Sequence, residues 1–447
     1  MPESLDLLRR EFTGSIAQPG DPEYETARRT AIATGAPTAV LRPADVADVQ
    51  RAVTFSAGSG LPLAVRGGGH SFAGLGTVDA GIVIDLAALN AVDVGDDGVV
   101  RVGGGATWGA VAAALAPRGL VLSSGDTASV GVGGLTLSGG IGWMVRRHGL
   151  ALDSLLAVEV VTADGAVVPA DRERHPDLFW AVRGGGGAFG VVTRFDFQAH
   201  PGGDLWFGTI TFPASEAAAV LAGWAEHMRT APDELSSTVK LANPFTGGAE
   251  APVELVVAFD GDETAATAAI DPLRRLGTVL SDGVARCAYS DILEPGAVLP
   301  PGLRLAVRNA FVEQASAPAT LALLADIAAE QQPAVITIHA LGGAFARVPA
   351  DSTAFVHRAA ALMVTTFAGG PDAVMDRAEP ALAGLWKRIA PLTSGAYANF
   401  LSTATAADAA AVYPADTASR LATVKAMYDP HDLFARTRER IATTPSL

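Results

Sequence analysis

The chain has 447 residues, a formal net charge of −15 and a single cysteine, and each of these quantities excludes a class of protein. The negative charge disfavours nucleic acids and anionic membranes as partners, and no apolar run reaches the roughly 18 residues of a membrane-spanning helix. One cysteine forms neither a disulfide framework nor a multi-cysteine zinc site, and the acidic start of the chain does not resemble a signal peptide. We therefore predict a cytoplasmic protein without a metal site.

The first 200 residues alternate between helix and strand signals. Pro43 followed by Val46, Val49 and Val53 predicts a helix that ends at residues 58–60. Further signals predict strands at residues 61–65, 81–86, 99–102 and 191–197, a helix at 107–116 and a hairpin that turns at Asp164-Gly165.

A glycine loop follows the first of these strands in the segment Arg66-Gly67-Gly68-Gly69-His70-Ser71. Successive glycines adopt positive φ and approach a ligand closely, so their N–H groups can converge on an anion such as a pyrophosphate. Taken alone, the segment fits equally well a strand-to-loop turn with a surface histidine.

A second glycine-dense segment makes the pattern much more specific. It runs from Gly125 to Gly142 and is followed by Arg146 to Asp153, and a third glycine run occupies residues 184–187. From Leu205 to about residue 385, strands such as Leu255–Phe259 and Ala334–His339 alternate with alanine-rich helices, without a glycine fingerprint, a metal spacing or a repeat.

These segments together resemble the berberine-bridge-enzyme-like FAD-linked oxidoreductases of the vanillyl-alcohol-oxidase/PCMH superfamily. The resemblance covers nearly the whole chain and includes the segments Asp177–Val192, Tyr397-Ala398-Asn399-Phe400 and Tyr428-Asp429-Pro430. It implies an α+β fold with a PCMH-type FAD-binding domain in residues 1–200. A substrate-binding domain, with an antiparallel sheet backed by helices, would span residues 201–385, and residues 386–447 would return to the FAD-binding domain.

The resemblance also implies how the cofactor is held. In that family the histidine at the position of His70 carries FAD through an 8α-N-histidyl bond, and many members add a cysteinyl bond from the second glycine segment. Thr127 stands at that second position, and Cys287 lies far downstream, so a covalent bond through His70 only is implied. The residues implied to bind FAD are Arg66, Gly67, Gly68, Gly69, His70, Ser71, Gly125, Asp126, Ser129, Val130, Gly133, Gly134, Gly140, Gly142, Gly190, Val191, Val192 and Asn399.

Three side chains are candidates for contact with substrate. Tyr397, in the family's Tyr-x-Asn motif, is the candidate catalytic base, although a phenol with a pKa of about 10 must then be stabilised as phenolate by hydrogen bonds or positive charge. Asn399 is expected to share a strand face with Tyr397 because side chains alternate with period two. His339 is assigned to the substrate side, and a buried histidine satisfied by the backbone remains the alternative for it.

The implied activity is that of an FAD-dependent oxidase or dehydrogenase. It would remove hydride from a hydroxylated small molecule, with molecular oxygen as the acceptor. Arginine in preference to lysine, with abundant Ala, Gly and Val, indicates a GC-rich genome and favours a place in specialised-metabolite biosynthesis. A redox-neutral flavin-dependent cyclase or isomerase is the alternative.

Overall fold

The computed structural model describes residues 2–244, 247–330 and 332–434. The chain begins with a small four-stranded sheet in the order β1-β2-β4-β3, in which β2, β4 and β3 run parallel. Asp45 caps helix α3 by accepting a hydrogen bond from the N–H of Asp48, and Gly60 ends this helix with φ +67°. The elements are α1 (Pro2–Glu11), β1 (Ser15–Ala17), α2 (Tyr24–Ala27), β2 (Ala39–Arg42), α3 (Val46–Ser59), β3 (Leu63–Arg66) and β4 (Ile82–Asp85).

A five-stranded antiparallel sheet follows, in the order β5-β6-β10-β8-β9. Its apolar core includes Trp108, Phe179 and Phe195, which are fully buried. The elements are β5 (Val92–Val94), β6 (Val99–Gly103), α4 (Trp108–Leu115), β7 (Leu120–Val121), α5 (Val132–Ser138), α6 (Val145–His148), β8 (Leu155–Val161), β9 (Val167–Asp171), α7 (Pro176–Ala181), β10 (Val191–Gln198) and β11 (His200–Pro201), with β7 paired to β11.

The third layer is a large antiparallel sheet in the order β15-β12-β14-β13-β18-β19-β17, with β16 paired to β12. Long helices cover one of its faces. The elements are β12 (Asp204–Phe212), α8 (Ala217–Thr230), β13 (Leu235–Leu241), β14 (Val253–Phe259), α9 (Glu263–Arg274), β15 (Ser281–Asp282), β16 (Ala285–Ala288), β17 (Leu303–Glu313), α10 (Ala317–Ala328), β18 (Val335–Ala340), α11 (Ala344–Arg347), β19 (Ala360–Pro371) and α12 (Asp372–Ile389).

The two faces of this large sheet differ in polarity because side chains alternate along each strand. On the helix-covered face, residues such as Val239, Ile338 and Val364 belong to one apolar cluster with the helices. The opposite face carries the polar side chains of Thr238 and Lys240 on β13 and of Thr337, His339 and Thr365 on β18 and β19. This opposite face points toward the glycine segments, as the contact between Phe72 and Phe367 shows.

The last helices are α13 (Ala406–Val412) and α14 (Ala415–Tyr428). Val412, Leu421 and Val424 join the core of the five-stranded sheet, and Lys425 donates a hydrogen bond to the carbonyl of Ala188 at 3.0 Å. Residues 435–447 of the predicted C-terminal segment lie outside the described residues, and the domain limits at residues 200 and 385 stay predictions.

The predicted α+β fold, with an antiparallel sheet backed by helices, is confirmed. The helices and strands predicted in the first 200 residues are present with ends shifted by a few positions, and the hairpin turns at Gly165 with φ +80°. No helix within residues 2–244, 247–330 and 332–434 is long and apolar enough to cross a membrane. The cellular compartment stays a prediction.

A half-buried pair of histidines lies where the second sheet meets the third. The rings of His148 and His200 stack with centroids 4.0 Å apart, and His200 Nε2 lies 3.0 Å from the hydroxyl of Ser154. Burial, together with the charges of the nearby His200 and Arg147, lowers the pKa of His148 to about 3. Arg147 itself pairs with Asp260 at 2.6 Å. His148 is therefore neutral in the folded protein at ordinary pH.

This pair predicts acid sensitivity of the fold. An unfolded histidine takes up a proton near pH 6.5, whereas His148 in the folded protein does so only near pH 3. The free energy of unfolding is therefore unaffected by His148 above about pH 6.5. It falls as the pH decreases from 6.5 toward 3, by at most about 1.4 kcal/mol per pH unit. Chemical denaturation between pH 5 and 7.5 should show a smaller pH slope in His148→Gln than in the natural protein. The exposed His431→Gln is the control, and equal slopes in all three proteins would contradict the assignment.

Candidate active site

The two glycine segments meet directly through their backbones. A Cβ atom added to Gly68 would lie 2.2 Å from the main-chain nitrogen of Gly131 and 3.1 Å from the carbonyl oxygen of Ser129. Gly69, one residue on, has φ +73°. Glycine is therefore required at Gly68, where the two loops touch, and the backbone angle favours glycine at Gly69.

The first glycine loop offers unpaired hydrogen-bond donors. The main-chain N–H groups of Gly68, Gly69, His70 and Ser71 donate to no acceptor among the described residues. The hydroxyl of Ser129 is likewise buried without a hydrogen-bond partner in that part of the chain. Converging N–H groups with a nearby hydroxyl suit a ligand rich in phosphate and carbonyl oxygens, so these residues fit FAD.

His70 belongs to the first segment, faces Ser129 of the second segment and is half-buried. Burial lowers its pKa, whereas the main-chain carbonyl of Ser129, which faces the imidazole, raises it. The first effect is the larger, so the imidazole is neutral at ordinary pH. One ring nitrogen then keeps a free lone pair.

Arg66 does not offer its side chain to a ligand. Its guanidinium is buried and pairs with Asp85 at 2.8 Å, and it also donates to the carbonyls of Ala27 and Arg29. Arg66 therefore fixes the end of β3 against the neighbouring loop. At Arg66, only the main chain is left to contact a cofactor.

The other predicted cofactor residues line the second segment and the start of β10. The second segment leads into α5 through Ser129 and Val130. Gly133 and Gly134 lie in the first turn of this helix, and a side chain at Gly134 would meet open space. Gly125 and Gly142 pack against each other, because a Cβ on Gly142 would lie 2.8 Å from the carbonyl carbon of Gly125. Gly190 with φ +155° precedes Val191 and Val192, whose side chains are buried in two different apolar clusters.

Asp126 is the charged residue of this second segment. Its carboxylate accepts a hydrogen bond from the hydroxyl of Thr127 at 2.9 Å. Its negative charge acts to raise the pKa values of both His339 and Tyr397. Asp126 thus lies on the side of the second glycine segment that faces the candidate catalytic residues.

The hydroxyl of Tyr397 is held by hydrogen bonds from two sides. The N–H of Gly140 and the Nδ2 of Asn399 each donate to it at 2.9 Å. Burial raises the pKa of Tyr397 above its ordinary value, and the two donors only partly oppose this rise. The predicted donors are therefore present, but no cation within residues 2–244, 247–330 and 332–434 is among the causes that lower the pKa of Tyr397, and the phenol is neutral at ordinary pH.

The expected strand arrangement of Tyr397 and Asn399 is wrong. Tyr397 has extended φ and ψ angles, but residues 398–400 form a turn of 3₁₀ helix. The turn brings the Asn399 amide back to the Tyr397 hydroxyl, and the same Nδ2 donates to the carbonyl of Leu135 at 3.3 Å. The two side chains meet because of this turn and not because of a shared strand face.

Asn309 of β17 fixes the backbone of Tyr397. The N–H of Tyr397 donates to Asn309 Oδ1 at 2.7 Å, and Asn309 Nδ2 donates to the carbonyls of Tyr397 and Phe400 at 2.8 and 2.9 Å. This buried amide was missed by the sequence analysis. A single asparagine in a strand gives no signal until the register with the distant Tyr397 segment is known.

His339 lies on β18 as predicted, on the polar face of the large sheet. The hydroxyl of Thr238 on β13 lies 3.0 Å from its Nδ1. The pKa of His339 is lowered to about 4, mainly by burial, while the charge of Asp126 opposes this shift and that of Lys240 adds to it. The imidazole is therefore neutral and acts through hydrogen bonds.

Aromatic side chains connect these groups into one site. The ring of Phe400 lies 5.4 Å from Tyr397, 6.3 Å from His339 and 6.2 Å from Phe72, measured between centroids. Phe72 follows His70 by two residues. The cofactor loop, the candidate base and the polar sheet face therefore surround a common space, and Phe72 is a second residue that the sequence analysis did not identify.

Comparisons with known proteins agree with this geometry. A family model described as an FAD binding domain matches residues 37–171. The uncharacterized FAD-linked oxidoreductase YgaK of Bacillus subtilis is 29% identical over 443 residues, which cover 96% of this chain and 97% of that protein. The crystal structure of 6-hydroxy-D-nicotine oxidase from Arthrobacter nicotinovorans superposes with a TM-score of 0.85 at 28% identity, covering 97% of this chain and 98% of that one.

The chain therefore contains an FAD-binding domain and is similar over nearly its whole length to FAD-linked oxidoreductases. This confirms the predicted family, the PCMH-type fold and the enzymatic class. A further match is the glucooligosaccharide oxidase of Acremonium strictum, with a TM-score of 0.81, 22% identity and coverage of 96% of this chain and 97% of that one. At that identity the match shows the fold alone. That glucooligosaccharide oxidase is described with a 6-S-cysteinyl, 8α-N1-histidyl FAD.

Proposed function

We propose that this FAD-linked oxidoreductase is an oxidase of a hydroxylated small molecule, with FAD attached through His70 alone and Tyr397 as the base. The observation that carries the proposal is the meeting of three features in one space: the donor-rich loop of His70, the Tyr397 hydroxyl held by Gly140 and Asn399, and the polar face of the large sheet.

The polar face supports a hydroxylated substrate. It presents Thr238, Lys240, Thr337, His339 and Thr365 in neighbouring positions. The hydroxyl of Thr365 is buried and has no hydrogen-bond partner in the described part of the chain. Buried polar groups nearly always have a partner, so this face is suited to a ligand with several oxygen atoms, bound beside the touching rings of Phe72 and Phe400.

Bound FAD supplies the acceptor for the two electrons of a substrate C–H bond. Tyr397 is the proposed base for the proton that leaves the substrate hydroxyl, and it accepts this proton as phenolate. The raised pKa of the phenol means that the phenolate is a minor form, which arises when Tyr397 gives its own proton to water. The donors Gly140 and Asn399 stabilise the negative charge of this phenolate, so they lower the cost of charging the buried group.

Molecular oxygen is the proposed acceptor of the two electrons that FAD receives from the substrate. The relatives named as oxidases support this choice, as does the nicotine oxidase among the solved structures. A role in specialised-metabolite biosynthesis is part of the same proposal and rests on the composition of the chain. The relative named (R)-6-hydroxynicotine oxidase and the carbohydrate oxidases show that this fold accepts different small molecules in those proteins.

Attachment of FAD at His70 predicts a yellow precipitate in acid. Precipitated protein should keep its flavin, and the flavin-bearing tryptic peptide should contain His70, because Thr127 offers no thiol for a second bond. His70→Ala should release all flavin into the supernatant. Cys287→Ser is the matched control, since Cys287 is the chain's one thiol, and it should retain the flavin as the natural protein does. A colourless pellet from the natural protein, or a flavin peptide from residues around 287, would refute the assignment.

If Tyr397 is the base, removal of its phenol oxygen should strongly slow the reduction of the flavin by substrate. General-base catalysis contributes about 10²–10⁴-fold, so Tyr397→Phe should slow flavin bleaching by substrate by that factor in anaerobic rapid mixing, with the flavin still attached. Asn399→Leu removes one donor, so the pKa of Tyr397 rises further and the pH profile of bleaching shifts to higher pH. Tyr24→Phe, which removes a buried hydroxyl that donates to Pro37, is the control. Bleaching at the natural rate in Tyr397→Phe would assign the base to another residue.

The oxidase assignment predicts fast reaction with air. Protein bleached anaerobically by its substrate should regain its yellow colour on mixing with aerated buffer and should release one hydrogen peroxide per flavin. Slow recovery, with rapid turnover only on an artificial acceptor, identifies a dehydrogenase instead. Turnover with a persistently oxidised flavin identifies a redox-neutral enzyme.

A further inference from the structure

A short segment of the large-sheet region crosses the second glycine segment beside His70. This segment, residues 293–299, is called the strap below. The N–H of Glu294 donates to the carbonyl of Asp126 at 2.8 Å, and the N–H of Ala128 donates to the carbonyl of Glu294 at 2.6 Å. Glu294 thereby pairs with Thr127 as in a parallel sheet. The strap is thus attached to the glycine segment at the position that carries a cysteine in doubly linked members of the family.

The other end of the strap is attached to the opposite side of the His70 loop. The N–H of Leu299 donates to the carbonyl of Ala31 at 2.7 Å, and the N–H of Ala31 donates to the carbonyl of Gly69 at 3.1 Å. The strap therefore joins the two loops that flank His70. The strap has one side in solvent, since residues 294–298 are exposed and Val298 is 73% exposed.

Gly296 lies at the middle of the strap and in contact with His70. A Cβ added to Gly296 would lie 2.1 Å from Ser129 Oγ, 2.9 Å from Thr127 Cγ2 and 3.4 Å from His70 Cε1. The residue also has φ +85°, which favours glycine. A Cβ at this position would displace Ser129 Oγ and Thr127 Cγ2, while it would only touch His70. The effect would reach the imidazole through Ser129, whose main-chain carbonyl faces it.

We propose that the strap, through Gly296, positions and shields the His70 imidazole so that FAD becomes attached to it. Gly296 is thus a positioning residue for cofactor attachment. The inference rests on the proposed bond between FAD and His70. It adds that a segment outside the FAD-binding match at residues 37–171 is required to form that bond.

Attachment has a definite balance of atoms and electrons. One bond forms between an imidazole nitrogen of His70 and the 8α carbon of FAD, while this carbon and the imidazole each release one proton. The two electrons that remain pass to dioxygen, which takes up both protons as hydrogen peroxide. The attacking nitrogen must carry a lone pair and point at the 8α carbon, and both conditions depend on a fixed, water-poor surrounding of the imidazole.

The strap also connects attachment to the docking of the large sheet. Leu293, at its beginning, is buried in an apolar cluster with Tyr289 and Met144. The hydroxyl of Tyr289 lies 2.7 Å from that of Ser124, just before the second glycine segment. The strap therefore reaches its place beside His70 only when this part of the sheet region has packed against the glycine segment.

The experiment compares Gly296→Ala with Gly302→Ala. Both residues have nearly equal positive φ, +85° and +80°, but a Cβ on Gly302 would meet nothing within 4 Å. The two variants therefore share backbone strain and differ in the contact with Ser129 and His70. Each protein is purified with its flavin and precipitated with acid, and flavin is measured in pellet and supernatant, together with the thermal unfolding temperature.

We expect the attached share of flavin to fall about tenfold or more in Gly296→Ala, because a displacement on the order of 1 Å can slow a positioned reaction about 10²-fold. Total flavin, attached plus released, should stay near the natural value. Gly302→Ala should keep the natural attached share. The double variant Gly296→Ala/Ser129→Ala removes the Oγ that the new Cβ would meet, and it should recover much of the attachment relative to Gly296→Ala, with Ser129→Ala alone as its reference.

Equal attached shares in Gly296→Ala and Gly302→Ala would overturn the role of the strap. Parallel loss of attached and total flavin, without recovery in the double variant, would also overturn it, because this result reports loss of the folded site alone. Absence of attached flavin in the natural protein would instead refute the proposed bond at His70. The two failures are therefore distinguishable.

Discussion

The close approach of Gly68 and Gly131 is the constraint on which the rest of the site depends. No side chain fits at either position, since a Cβ on one residue would lie 2.2 Å from the main-chain nitrogen of the other. Both loops are fixed by secondary structure: β3 delivers the first, and hydrogen bonds from Trp108 to Val130 and from Val132 to Ala106 fix the second. Because of this contact, the first loop, whose N–H groups are unpaired among the described residues, lies against Ser129 of the second loop, and the main-chain carbonyl of Ser129 faces the His70 imidazole.

The large sheet supplies the opposite wall through the alternation of its side chains. A polar row crosses four neighbouring strands from Lys240 through Thr337 and Thr365 to Asn309, each residue paired with the next. Asn309, at the end of the row, fixes the main chain of Tyr397. A slip of one residue in any of these pairings would turn the polar side chains into the helix-covered core, so the apolar packing of the other face also fixes the site.

The sequence predicts those parts of the protein that depend on neighbouring residues in the chain. Helix α3 has its capping aspartate and its terminal glycine, and the His70 loop has its glycine run, so both are recognisable locally. Asn309 and Gly296 are not recognisable, because their roles arise from contacts with residues 88 or more positions away. The geometry of Asn399 was mispredicted because the period-two rule was applied to a segment that turns into a 3₁₀ helix. Arg66 pairs its side chain with Asp85, which is distant in sequence, and its predicted part in binding FAD stays a prediction.

The hydrogen bond from Gly140 to Tyr397 joins residues 257 positions apart. At a synthesis rate of about 5–20 residues per second, the second glycine segment leaves the ribosome roughly 10–50 s before Tyr397 does. Both glycine loops are complete during this interval, while the wall formed by Tyr397 and Asn399 does not yet exist. The order of synthesis therefore leaves the glycine loops open on the side of Tyr397 until the last part of the chain folds back.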